Sequence, residues 1–256
     1  MKTFELTTRL KAFSRKQSYN AVAAAAYRSG TKLKCDRTGV THDYRNRSND
    51  VVVSGIVFPS GNPRIDRNAL WRAVEGSETR KSSRVCRELL IALPELLRAS
   101  ERHCVIKRIS EHLAERHGVV VDYAIHAPPK NGDSRNHHAH LLFTTRRMVN
   151  GILTEKTREL DDRTTGPIIL KEWRQLVAQL LNEALERQKA SSVVFVEHRS
   201  FAKRGIEKQP QKHHGNASRY ERLHRLKSAF QRVAGITKCA LMQTLVYVRS
   251  AKLILR

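Results

Sequence analysis

The stretch that most restricts this chain is Asn136-His137-His138-Ala139-His140-Leu141-Leu142-Phe143-Thr144-Thr145. Its second half is apolar and β-prone, and on a strand residues two apart point to one face. His138 and His140 can therefore reach the same ion. A third histidine, His126, ends another β-prone run that begins at Val119. Between them, residues 127–136 carry Pro128, Pro129 and Gly132, which favour a loop. Two antiparallel neighbours joined by that loop put three imidazoles on one sheet face. A chain with 12 histidines produces a His-x-His pair by chance. The pair alone therefore fixes nothing, and His126 on a partner strand carries the metal reading.

The charge balance names the partner class. Forty-eight Lys and Arg against 24 Asp and Glu leave a net charge of +24. Such an excess is the footprint of a protein that meets a polyanion, nucleic acid first and a membrane surface second. No uncharged apolar run is long enough for a membrane span, so no membrane insertion is expected. The first residues, MKTFELTTRLKAFSRK, lack the apolar core of a signal peptide. Cys35, Cys86, Cys104 and Cys239 show no CxxC spacing. A reduced, cytoplasmic protein is expected.

Alternation over Phe4–Leu10 predicts a strand. Ser18 is a candidate N-cap for an alanine-rich helix, Ala21–Arg28, stopped by Gly30. Residues 31–50 are polar and read as a loop. Strands are predicted at Val51–Pro59 and Glu88–Pro94, and helices after Asp66, over Leu96–Arg116 and over Ile168–Gln188. With the two histidine strands, this order predicts an α+β fold. Five strands form a mainly antiparallel sheet carrying helices on one face.

Three neutral imidazoles leave coordination positions open, as a catalytic site requires. Imidazole donors suit Zn, Co, Ni or Mn. Tyr27 is a candidate nucleophile. Its alanine neighbours are too small to bury it, and a positive surrounding favours phenolate. The competing reading is a core tyrosine packed beside Ala23 and Ala26. Glu88 is a candidate carboxylate behind a ligating histidine; the alternative is an exposed strand carboxylate paired with Arg84 or Arg87. Asp161 and Asp162 are adjacent and read as a solvated loop. His103, His112 and His117 read as surface residues of a helix, and His198, His213 and His214 as exposed or DNA-facing.

Several linked motifs resemble the MobA/MobL-type (MobQ-class) plasmid relaxases, including the N-terminal relaxase region of TraA proteins. They include Ala23-Ala24-Ala25-Ala26-Tyr27-Arg28-Ser29-Gly30, His42-Asp43-Tyr44, Leu70-Trp71-Arg72-Ala73-Val74-Glu75 and Arg87-Glu88. Ala124-Ile125-His126-Ala127-Pro128, His138-Ala139-His140 and Thr157-Arg158-Glu159-Leu160-Asp161-Asp162 follow in family order. The resemblance runs over roughly residues 3–215. It implies an HUH-endonuclease-like relaxase fold, with a relaxase domain over 1–215 and a basic extension of unassigned role over 216–256. It implies strand-specific nicking and rejoining of single-stranded DNA at an origin of transfer, through a 5′-phosphotyrosine on Tyr27. His126, His138 and His140 fall at its metal-ligand positions, Glu88 at a supporting acidic position, and the metal it implies is Mg or Mn. Accessory relaxosome proteins and a type IV secretion coupling protein are the implied partners, and the protein would pass to the recipient cell with the DNA.

The sequence departs from the family pattern at His137, where proline is usual and where an extra imidazole would compete for the metal. It departs again at Leu90, where a second acid is common, and at His213-His214-Gly215-Asn216. The chain is expected to be a minimal or truncated relaxase. The rival readings are an HUH-type replication initiator, a non-catalytic DNA-binding protein and a zinc-dependent hydrolase that uses water in place of tyrosine.

Overall fold

A computed structural model describes residues 2–129 and 133–209. In order, the elements are β1 (Lys2–Glu5), β2 (Thr8–Ser14), α1 (Ala21–Ser29), β3 (Lys32–Lys34), β4 (Thr41–Asp43), β5 (Val51–Val57) and α2 (Arg67–Ser77). They continue with β6 (Arg84–Leu93), α3 (Ala99–His117), β7 (Val121–His126), β8 (His137–Thr144), β9 (Arg146–Val149), β10 (Ile152–Lys156), α4 (Thr165–Arg187) and β11 (Val194–Glu197). Met1–His198 forms one compact unit. A second begins at Arg199; its described part is a short 3-10 turn, Ala202–Arg204, closed by Gly205 in the left-handed region. The expected boundary at 215, the extension beyond it, and His213 and His214 lie outside the described residues.

The expected α+β architecture is observed. Five strands pair antiparallel in the order β2-β6-β8-β7-β5. The expectation of helices on one face is corrected: both faces are covered. α3 and α4 pack on the side of Leu89, Ile91, Ile125, Leu141 and Phe143. α1 and α2 pack on the opposite side, with Phe13, Cys86, Val120 and Leu142. The signal was in the strands themselves. β7 is buried at every position and β6 at most, as a sheet sandwiched on both faces requires. The predicted first strand is broken in two: β2 joins the main sheet, and β1 pairs parallel with β11. No helix among the described residues is long and apolar enough to cross a membrane.

Ser18 does not cap α1. It sits at φ 61° and closes the preceding 3-10 turn. The cap is Asn20, whose side-chain oxygen accepts from the Ala23 amide at 3.0 Å, a reach that Ser18, two residues further out, lacks. The α1 N-terminus is held a second way. Glu75, 1% exposed on α2, accepts from the Ala21 amide at 2.8 Å and from Arg15 and Arg37, each at 2.7 Å. A carboxylate at a helix N-terminus is also favoured by the helix dipole.

Burial raises the Glu75 carboxyl, but the Ala21 amide and the two guanidinium groups outweigh it and hold it below its ordinary 4.5. A carboxyl depressed by folding adds stability that is complete above its unfolded value. That stability is lost as pH falls through the folded one. Urea unfolding between pH 3 and 7 is expected to show wild-type stability dropping below about pH 4.5. Glu75→Gln is expected to lose about 3 kcal/mol at pH 7, because two arginines lose their counter-charge, and to show a shallower acid limb. An unchanged acid limb in the variant would remove Glu75 from this role.

The 31–50 segment is not an open loop. β3 and β4 form a hairpin tied to α2, with Asn68 bonding both backbone groups of Lys34 and Arg72 pairing with Asp36. A 3-10 turn, Arg45–Asp50, then leads into β5. These ties are between polar side chains distant in sequence, which hydrophobic periodicity does not report.

Candidate metal and nucleophile site

Strand register builds the site. His126 on β7 lies opposite His138 on β8, and His140 lies opposite Ala124 on one side and Leu90 of β6 on the other. Opposed residues share a face, so His126, His138, His140, Glu88 and Leu90 all stand on the α1/α2 side of the sheet. One ring nitrogen from each of the three histidines lies within 4.8 Å of those of the other two. His126 is buried, and His138 and His140 are half-buried.

Each ring has a protein acceptor for one nitrogen. His126 Nε2 donates to the Arg28 carbonyl at 2.7 Å, His138 Nδ1 to the Asn136 carbonyl at 2.9 Å, and His140 Nδ1 to Glu88 Oε1 at 2.7 Å. Because these oxygens only accept, each fixes the tautomer, and the other nitrogen carries the lone pair a metal requires. Burial first, then the neighbouring imidazoles, lower His126 to about 4 against its bond to the Arg28 carbonyl. Burial lowers His138 likewise, helped by His140. The donor set therefore fits a divalent cation with open coordination positions; imidazole nitrogens alone do not select which one.

Glu88 is neither exposed nor paired with Arg84 or Arg87. It is 6% exposed and receives the Arg28 Nε as well as His140. Burial pushes its carboxyl up, but the bonds from His140 and Arg28 outweigh this and hold it at about 2. Arg84 and Arg87 instead pair with Asp161, an exposed loop residue as expected, which is thereby tied to β6. His137, next to the pair, points to the other face and meets Arg102 through its Nδ1 at 3.0 Å. It is not one of the three imidazoles of the cluster, contrary to the expected competition. His103 binds the Tyr123 hydroxyl, and His117 is buried against Trp173; neither is a free surface residue.

Tyr27 lies in the last turn of α1 and is 40% exposed, not a core tyrosine. Its ring is met edge-on by Tyr44 at 5.2 Å and covered by the Arg47 guanidinium 3.9 Å from the ring centre. The next residue, Arg28, touches the histidine cluster twice: its carbonyl holds His126, and its guanidinium holds Glu88 and through it His140. Sequence reasoning gave Arg28 no role of its own. It also placed Arg47 in a loop, and nothing in the local pattern marks that residue.

The chain matches the model of the MobA/MobL family over residues 19–223. It is 34% identical over 234 residues to mobilization protein MobL of Acidithiobacillus ferridurans, covering 81% of this chain and 61% of MobL. It is 30% identical over 145 residues to the conjugal transfer protein TraA of Rhizobium radiobacter, covering 52% of this chain and 13% of TraA. The chain thus spans under two thirds of either relative. A solved structure described as the molecular basis of vancomycin resistance transfer in Staphylococcus aureus superimposes with a TM-score of 0.66 at 26% identity, over 77% of this chain and all of that one. Family motifs, matched residues and fold agree, and the chain belongs to the MobA/MobL family.

Proposed function

We propose that the protein is a relaxase that nicks and rejoins single-stranded DNA at an origin of transfer, for mobilisation of plasmid DNA. One observation carries this reading. The last turn of α1 is pinned to the histidine cluster through both ends of Arg28, and this fixes the exposed Tyr27 one residue away.

In this mechanism Tyr27 is the nucleophile, and His126, His138 and His140 would hold a divalent metal ion, which when bound would supply Lewis-acid polarisation of the scissile phosphate. The Tyr27 oxygen forms a bond to phosphorus as the bond from phosphorus to the 3′ oxygen breaks. The phenolic proton leaves to solvent and the departing 3′ oxygen takes one up. One phosphate ester replaces another, so no water or nucleotide is consumed and the strand can be resealed. Glu88 keeps the His140 ring oriented, and Arg28 compensates its charge. The basic surface holds the backbone, with exposed aromatic and arginine side chains available to bases. Accessory relaxosome proteins and a secretion coupling protein are the partners such a reaction calls for.

The test uses labelled single-stranded oligonucleotides tiled across the DNA flanking the gene, with adducts resolved on denaturing gels. Mn or Mg is expected to give a protein–DNA adduct. Removing the metal with a chelator should lower its rate on the order of 1,000-fold, and re-adding metal should restore it. Cleaved DNA without an adduct would favour a hydrolase. Binding without cleavage under Mg, Mn, Ni and Co would favour a non-catalytic DNA-binding protein.

A further inference from the structure

Arg47 stands on the 3-10 turn Arg45–Asp50, and the turn is fixed at both ends beside the site. At one end the Tyr44 amide donates to the Thr31 carbonyl at 3.1 Å. At the other, the Ala127 amide donates to the Asp50 carbonyl at 2.9 Å, and Val51 pairs with His126. In the middle, Ser48 passes so close to Gly30 that an added Cβ would meet its Cα at 2.9 Å. Gly30 is itself at φ 63°, so glycine alone fits both the helix end and the crossing. The guanidinium lies on the Tyr27 ring, on the turn that leads directly into the strand residue paired with His126.

Acidic side chains neutralise this guanidinium only weakly. Glu88, the carboxylate beside the cluster, is already engaged by Arg28 and His140. The acid partner of Arg47 is Asp50, at 3.2 Å and 53% exposed, where solvent screens it. A divalent cation on the three histidines would then face a second positive group, and a phosphate between them would relieve the repulsion.

We propose that Arg47 is a catalytic phosphate-binding residue, its guanidinium lying flat on the Tyr27 ring and donating through its edge N–H groups to a non-bridging oxygen of the scissile phosphodiester. This rests on the relaxase reading above. Charge on those oxygens is what a preorganised cation stabilises in phosphoryl transfer. Arginine suits the task because it stacks on an aromatic face and donates in a fork.

The experiment compares full-length wild type, Arg47→Ala and Arg47→Lys. Without DNA, Mn titration should find Arg47→Ala binding the ion about threefold more tightly than wild type, since a like charge is gone. With the tiled oligonucleotides, its adduct rate should fall roughly 100-fold or more. Millimolar guanidinium should restore part of that rate to Arg47→Ala but none to Tyr27→Phe, and Arg47→Lys should recover little. An adduct rate for Arg47→Ala within about threefold of wild type overturns the assignment. So does weakened Mn binding, which would make Arg47 a structural support of the histidine strand. Absence of any wild-type adduct is a different failure, that of the relaxase reading, and this inference falls with it.

Discussion

Tyr27→Phe is expected to bind single-stranded DNA as tightly as wild type and to form no covalent adduct, a loss of more than about 10,000-fold. The size follows from the chemistry: phenylalanine has no oxygen to enter, and the reaction conserves a phosphate ester only if a protein oxygen enters. The specificity follows from the structure. Phenylalanine keeps the ring that lies under the Arg47 guanidinium at 3.9 Å and against Tyr44 at 5.2 Å. The side chain is 40% exposed, so losing its hydroxyl should leave urea-unfolding stability within about 0.5 kcal/mol of wild type. Filter binding and adduct gels on the same oligonucleotides then separate binding from chemistry. Adduct at the wild-type rate would place the nucleophile elsewhere, and Tyr44, packed on the same ring, would be the first to test by Tyr44→Phe.

Tyr27 also illustrates how much was legible in the chain. The three histidines were readable because strand alternation and antiparallel register are short-range geometry. Five strands and the main helices were readable for the same reason. Its small neighbours left Tyr27 open between an exposed nucleophile and a core tyrosine, and the fold decides for exposure. What was missed depends on contacts between distant segments. Glu88 has arginines on its own strand at 84 and 87, and proximity in sequence made them its obvious partners. The fold gives both to Asp161 and brings Arg28 in from α1. His137 was read as a competitor of its neighbours, although a one-residue step on a strand reverses the face. The polar 31–50 segment carries no hydrophobic period, so its hairpin, its ties to α2 and the placement of Arg47 had no local signature. The covering of both sheet faces did have one, in the unbroken apolar run of residues 89–93 in β6 and in apolar residues on both faces of β7, Val121, Tyr123, Ala124 and Ile125.

Glu88→Gln is expected to separate the two duties of that carboxylate. The substitution keeps the shape and one acceptor oxygen but removes the charge. Arg28, 13% exposed, then has no counter-charge in a site it cannot leave, and stability should fall by about 3 kcal/mol in urea unfolding. His140 loses a charged acceptor for its Nδ1 proton, which both orients the ring and raises the basicity of the ligating nitrogen. Mn affinity in the absence of DNA should fall between about 10- and 100-fold, and adduct formation with it. Instability alone could produce both losses, so the decisive form is a pair. In Arg28→Gln with Glu88→Gln no unpaired charge remains, and much of the lost stability should return. Metal affinity should not, because His140 still lacks its carboxylate. If both recover together in the double variant, Glu88 serves only to neutralise Arg28, and the metal-site role assigned to it is wrong. If neither single nor double variant alters Mn binding, the three histidines hold their ion without help from β6.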